Sequence, residues 1–157
     1  MGWVTLNGRT LTLRTDINQM ELQDIALSRE IRGIQRNLSY QQSVYNKEKK
    51  RDLANAKREM NQVREAKPED AKYGSNAYNE WNTTYQEKRS EFEEQKVEIE
   101  DYYDGLLEEI EQEATDRETE KQEEQTVLEA NLEAQRAELD VVKEQVSSDI
   151  DSSTIKF

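Results

Sequence analysis

The sequence predicts a mainly α-helical, elongated protein in which an N-terminal β-hairpin precedes two long helices that form an antiparallel coiled-coil αα-hairpin. Three observations lead to this prediction. Asn7-Gly8 stands between two Thr- and Leu-rich arms, apolar residues recur at three- and four-residue steps over most of the chain, and Pro68 with Gly74-Ser75 interrupts that rhythm once. The expected segments are a docking hairpin at 1–14, helices at 16–67 and 76–148, a turn at 68–75 and a short flexible tail at 149–157.

The N-terminal hairpin is predicted from its turn. Asn7-Gly8 supplies the positive φ angles that a type I′ turn requires. If Leu6 pairs with Arg9 across this turn, strand alternation gathers the valine and leucines on one face, opposite Trp3 and the threonines. Two strands alone are marginal in water, so the apolar face has to cover the helices or dock onto another chain. The predicted partner-docking residues are Trp3, Val4, Leu6, Leu11 and Leu13.

The first helix is predicted to begin at Asp16, whose carboxylate can cap the free backbone amides while Gln19 completes a capping box. From there the apolar residues alternate at three- and four-residue steps, as in the seam of a coiled coil, with polar interruptions at Asp24 and Gln41. The predicted seam residues of this helix are Ile17, Met20, Leu27, Ile31, Ile34 and Leu38.

The second helix follows the only proline of the sequence. Pro68 disfavours helical geometry at the residue before it, and Gly74-Ser75 offers a helix stop followed by a new N-cap. Beyond this turn a column of aromatic and aliphatic residues repeats every seven positions, and the pattern resumes after a polar stretch at 111–126. The predicted seam residues of the second helix are Tyr78, Trp81, Tyr85, Phe92, Ile99, Tyr102, Leu106, Leu128, Leu132, Leu139, Val142 and Val146.

The two halves of the sequence carry opposite charge. Residues 1–67 contain 13 Lys and Arg against 8 Asp and Glu, whereas residues 68–157 contain 9 against 27. A short turn favours antiparallel pairing, which lays the basic helix along the acidic one and reduces the self-repulsion of the acidic one. Parallel trimers fit the same heptads, so pairing between chains is an open alternative at this stage.

The composition argues against an enzyme. The sequence has no Cys and no His, which removes thiol and imidazole chemistry and the usual zinc sites. We therefore expect no catalytic residue, cofactor or metal. The basic run at 47–51 is interpreted as a solvated helix face, because a net charge of -13 repels nucleic acid. With neither a signal peptide nor a long apolar window visible, the expectation is no membrane contact and a cytoplasmic or particle-associated protein, not secreted by a signal peptide.

An anchor followed by a rod favours a non-enzymatic structural or assembly protein. We expect the hairpin to hold the coiled coil in a larger multi-protein particle, with other protein subunits as partners and the chain present as a homo-oligomer or in several copies. A docking strand joined to an acidic coiled coil resembles the organisation of small bacteriophage virion proteins. The helical hairpin is also similar to the stalk proteins of type III secretion systems. A capsid scaffolding protein or a chaperone-like factor is the alternative.

Overall fold

The computed structural model describes the backbone of residues 2–154, and all side chains of this range except those of Trp3 and Thr154. It contains two α-helices, α1 at Gly2–Glu65 and α2 at Asn76–Thr154. The helices pack against each other as a hairpin, which confirms the predicted mainly helical class and the helical hairpin. By their internal contacts the residues divide into two units, one joining Met1–Gln35 to Thr115–Phe157 and the other formed by Arg36–Ala114.

The predicted N-terminal β-hairpin is wrong. No strand occurs among residues 2–154, and α1 passes through Asn7 and Gly8 without a turn. Asp16 consequently lies inside α1 and does not cap its start. The physical reason is a longer-range pattern: Leu6, Leu13 and Met20 are seven residues apart and extend the heptad column of the first helix back towards the N-terminus. Packing along this column outweighs the local turn preference of Asn-Gly.

Three threonines near the start of α1, of which Thr10 and Thr12 belong to the predicted β-hairpin, are accommodated in the helix by local hydrogen bonds. Thr10, Thr12 and Thr15 each donate their hydroxyl to the backbone carbonyl oxygen four residues earlier, over 3.0, 3.1 and 3.0 Å. A β-branched side chain has restricted freedom in a helix, but threonine can use this bond to satisfy its polar group. The β-propensity of these residues is therefore compatible with the observed helix.

A small apolar core holds the first unit together. Leu13 is its most buried member, with 1% of its surface exposed. Leu6 and Met20 pack against the core from α1. Its buried members, drawn from both helices, are Leu13, Ile17, Leu132, Leu139 and Val142. In the second unit the buried apolar residues are Met60, Tyr103 and Ile110.

In α2 the observed seam differs from the predicted one by one residue after Phe92. Lys96 is half-buried four positions beyond Phe92, whereas Gln95 is exposed. This four-residue step replaces the expected three-residue step and moves the intervening seam positions along by one residue, while Ile99 and Leu106 of the predicted column stay half-buried. Tyr103 is therefore buried, while Tyr102, which the heptad count assigned to the seam, is 63% exposed.

The turn between the helices is closed by side-chain caps within the second unit. Gly74 has a φ of 83°, a left-handed conformation that glycine adopts without strain. Ser75 caps α2, because its Oγ accepts a hydrogen bond from the backbone N–H of Tyr78 at 3.2 Å. The indole N–H of Trp81 donates to the carbonyl oxygen of Val63 at 2.8 Å, in the last turn of α1, where carbonyls lack helical partners.

The C-terminal segment predicted as a flexible tail is helical as far as it is described. α2 continues to Thr154, so residues 149–154 extend the second helix. The rest of the predicted tail, residues 155–157, lies outside the described residues.

Candidate functional site

The helix separates the predicted docking residues onto opposite sides. Leu13 is buried and Leu6 is half-buried against the core, so both stabilise the hairpin of helices. Val4 and Leu11 are 65% and 68% exposed. In the predicted β-hairpin these four residues would share a face across the two strands. A two-residue step along an α-helix is instead a rotation of about 200°. The side chain of Trp3 lies outside the described residues.

An exposed apolar surface, the outer face of α1, runs along the side of this helix opposite its packed seam. It consists of Val4, Leu11, Leu22 and Ile25, of which Leu22 is 67% and Ile25 is 47% exposed. Val4, Leu11 and Ile25 fall on one heptad column, two positions out of phase with the column of Leu6 and Leu13. Exposed large apolar side chains on one helix face are typical of an interaction site, and here the polar Thr15 and Asn18 lie between Leu11 and Leu22 on the same face.

Gly8 lies on the same face, between Val4 and Leu11. A Cβ atom built at Gly8 would meet nothing within 4 Å, so no packing within the chain requires glycine here. Glycine in a helix interior costs about 1 kcal/mol relative to alanine. A glycine on an exposed helix face also leaves the backbone open to close approach by another helix. Gly8 is therefore suited to contact with a neighbouring molecule.

A second exposed surface, the outer face of α2, lies in the same unit on the side of α2 away from its seam. Val127 and Val141 are 62% and 54% exposed at its ends. Between them lie three exposed alanines. The full set is Val127, Ala130, Ala134, Ala137 and Val141. Small side chains over three helical turns allow another helix to approach closely.

Most of the residues on the two outer faces lie outside the single heptad seam that was predicted for each helix. The signal was nevertheless in the sequence. Val4, Leu11 and Ile25 lie at multiples of seven from one another, and so do Val127, Ala134 and Val141. A second apolar column on a helix that already has a packed seam indicates a second contact. Leu22 and the other two alanines occupy the intermediate positions of the same pattern.

Polar side chains link the two helices of the first unit. Arg9 pairs with Glu138 at 2.5 Å and Arg136 with Glu21 at 2.6 Å. These pairs are about half exposed, so each contributes at most about 1 kcal/mol. They link the two helices but do not define one alignment, because the two pairs are twelve residues apart on α1 and two residues apart on α2.

A polar layer interrupts the seam of the same unit. The side-chain amide of Gln125 donates to the carboxylate of Asp24 at 2.6 Å and to the hydroxyl of Ser28 at 3.1 Å. Asp24 was expected to interrupt the apolar pattern, and here its carboxylate has a partner across the hairpin. Hydrogen bonding is required at this position because a partly buried carboxylate without partners is costly.

In the second unit Tyr103 donates its phenolic hydroxyl to the carboxylate of Asp52 at 2.5 Å. This hydrogen bond and the burial of the ring raise the pKa of Tyr103 to about 12, because ionisation would remove the donor and place a second negative charge beside Asp52. The same bond lowers the pKa of Asp52. Both shifts favour the charge states already present at neutral pH, so the pair acts as a structural link rather than as an acid or base.

We expect this pair to make stability depend on alkaline pH. Tyr103 has a folded pKa above its ordinary value of 10.0, so its contribution is complete below about pH 10 and is lost as the pH rises towards about 12. The melting temperature of the wild type should exceed that of Tyr103→Phe at about pH 8, and the difference should shrink at about pH 11. Circular dichroism melts of both proteins measure this. A difference that stays constant over this range would contradict the assignment.

Two basic residues of α1 in the second unit contact α2. Lys49 pairs with Asp104 at 2.7 Å, and the ammonium group of Lys57 lies 6.0 Å from the ring centre of Phe92. Near the turn, Lys67 lies 5.2 Å from the ring of Trp81, which stacks on Tyr85. These contacts give several of the basic and aromatic residues a packing role.

Neither α1 nor α2 has, within the described range, a stretch long and apolar enough to cross a membrane. The acidic side chains of the described residues do not form any group of three or more that could hold a metal ion.

Comparison with known proteins gives no relative. No family model, no curated protein and no solved structure matches this chain.

Proposed function

We propose that this chain is a non-enzymatic structural component of a multi-protein assembly, in which the helical hairpin is the support and the outer helix faces bind other subunits. The observation that carries the proposal is the outer face of α1. Its large apolar side chains are exposed on a helix that already packs through its opposite side. Burying apolar surface contributes about 25 cal/mol per Å², so such a face favours association.

The proposal revises the anchor expected from the sequence. Of the predicted docking residues, Val4 and Leu11 belong to the exposed face, and Leu6 and Leu13 stabilise the hairpin itself. Leu22 and Ile25 join the proposed binding residues. The likeness to bacteriophage virion proteins depended on a docking strand, and α1 is helical over residues 2–65. The proposal therefore names no type of particle.

A non-enzymatic role is supported by the chemistry of the side chains. The sequence has neither His nor Cys. The large pKa shift, at Tyr103, holds its phenol protonated in a structural hydrogen bond. A general acid or base needs a pKa near the working pH, and this shift moves the pKa away from it.

The test replaces one residue of the outer face of α1 in the cells that naturally produce the protein. Leu22→Asp puts a charge into the centre of the apolar face and should reduce recovery of the chain in its native assembly several-fold, because the charge would lose its water on binding. Gln23→Asp is the matched control. Gln23 is also exposed, adjacent in sequence, and rotated by about 100° away from Leu22.

Cross-linking followed by mass spectrometry measures the recovery and identifies the partners. Links from the outer face of α1 to fixed subunits of a finished assembly, lost in Leu22→Asp and kept in Gln23→Asp, would support a permanent component. Links present only in assembly intermediates would support the scaffolding or chaperone-like alternative. Equal recovery of the two variants would refute binding through this face.

A further inference from the structure

We propose that the outer face of α1 in one copy of this chain binds the outer face of α2 in a second copy, so that helical hairpins associate side by side. The inference rests on the proposed function, because it names the partner of the same surface. It uses residues of the first unit only, and three features support it: the levels of the two faces, the sizes of their side chains and their charges.

The two faces lie at the same levels of the first unit. The hydrogen bond between Asp24 and Gln125 sets α1 against α2, with residue numbers rising on one helix as they fall on the other. Leu22 therefore lies level with Val127, and Leu11 lies close to the level of Ala137. If a second hairpin lies beside the first in the same orientation, its α1 runs antiparallel to α2 of the first. The two outer faces then overlap from the level of Gly8 to that of Leu22, and Val4 and Ile25 extend past the apolar residues of α2.

The side chains on the two faces are complementary in size at two levels. Although Leu22 lies level with Val127, Leu11 lies close to the level of the smaller Ala137. At the level of Gly8 the small residue is on α1, and the larger residue, Val141, is on α2. Packing of large residues against small ones lets two helices interlock at a short interaxial distance.

The charges at one end of each face are also complementary. Past Ile25 the outer face of α1 continues into Arg29, which is exposed. From Val127 towards the N-terminus of α2, the outer face of α2 continues into the exposed carboxylates of Glu120 and Glu123. The contact between Lys121 and Glu30 in the same unit puts these charges at one level. Side-by-side packing in the same orientation therefore sets a guanidinium beside carboxylates, which favours this arrangement over the pairing of two α2 faces.

The two faces are different, so the association is head to tail. Each copy that uses its outer face of α1 retains a free outer face of α2, and further copies can add until a ring closes or a filament grows. A two-fold dimer would instead pair identical faces. The distinction gives the proposal a direct test.

The test uses the purified full-length chain and two variants, each with one face disrupted. Leu22→Asp disrupts the outer face of α1, and Ala134→Asp disrupts the outer face of α2. Light scattering coupled to size-exclusion chromatography should show wild-type mass rising with concentration, whereas each variant alone should stay monomeric, because every copy then lacks the same face. Because the two variants have complementary intact faces, their mixture should form a one-to-one complex. Gln23→Asp should behave as the wild type, and circular dichroism should show equal helicity throughout.

Several outcomes would overturn the inference. A wild type that stays monomeric at all concentrations would show that the two faces do not bind each other. Association that survives in both single variants, or a mixture whose components do not bind, would exclude the head-to-tail arrangement. If the purified chain is monomeric while its recovery in the native assembly still depends on Leu22, the proposed function stands and only the second copy as partner is wrong.

Discussion

Leu13→Ala is expected to lower the free energy of unfolding by about 2–5 kcal/mol, the usual cost of truncating a buried leucine in a core that cannot fully collapse. Leu13 is 1% exposed and packs with Ile17 and the buried residues of α2 in the first unit. The loss should appear as a lower midpoint in urea denaturation followed by circular dichroism. An apolar cluster of this small size has few contacts to spare, which makes this substitution among the most damaging in the chain.

Leu11→Ala is the matched control, because it removes the same atoms two residues away. Leu11 is 68% exposed, and surface substitutions of this kind change stability by about 0.5 kcal/mol or less. The denaturation should be measured at low protein concentration, so that any self-association does not contribute. A β-hairpin would put both leucines on one face, so the two substitutions would lower the free energy of unfolding by similar amounts. Equal destabilisation would therefore contradict a helix at this position.

Trp81→Ala is expected to have the second large effect, about 2–4 kcal/mol, because it removes several interactions of a half-buried side chain at once. The indole donates to the carbonyl of Val63, stacks on Tyr85 at 5.5 Å between ring centres, and lies beneath the ammonium group of Lys67. Amide hydrogen exchange should show faster opening at the end of α1 and the start of α2 in the variant.

Trp81→Phe separates the hydrogen bond from the packing. It keeps an aromatic ring but leaves the Val63 carbonyl without the indole donor, so its cost should be about 1 kcal/mol. If Trp81→Phe were as damaging as Trp81→Ala, the hydrogen bond would account for the whole effect. If neither variant changed exchange near the turn, the indole would not hold the helix ends together.

The long-range pattern of the sequence predicted the helices, and local signals misled where they conflicted with it. Asn7-Gly8 has strong turn chemistry, but Leu6 and Leu13 fit the heptad column, and packing of that column decides the structure. The opposite case is Ser75, whose position after Gly74 was read as an N-cap and whose Oγ accepts the expected hydrogen bond. There the local signal and the overall fold agree.

The candidate site was only partly predictable. Val4 and Leu11 were predicted as docking residues on a strand; both are exposed on a helix, and their docking stays a prediction. The alanines of α2 carried no signal by themselves, because exposed alanine is common in any helix. Whether these alanines form an outer face depends on which side of α2 packs against α1. A one-residue shift of the kind seen at Lys96 changes that side. Contact partners across the hairpin were needed to establish it.

The hydrogen-bonded layer of Asp24, Ser28 and Gln125 has a consequence for alignment. Aliphatic side chains repeat every seven residues along both helices, so sliding one helix past the other by a heptad would still bury leucine against leucine. The same slide would separate Gln125 from Asp24 and leave a carboxylate facing aliphatic neighbours, which is costly. The layer thus fixes the register of the two helices. It adds little to the stability of the pairing but selects one alignment among several that are compatible with the apolar residues.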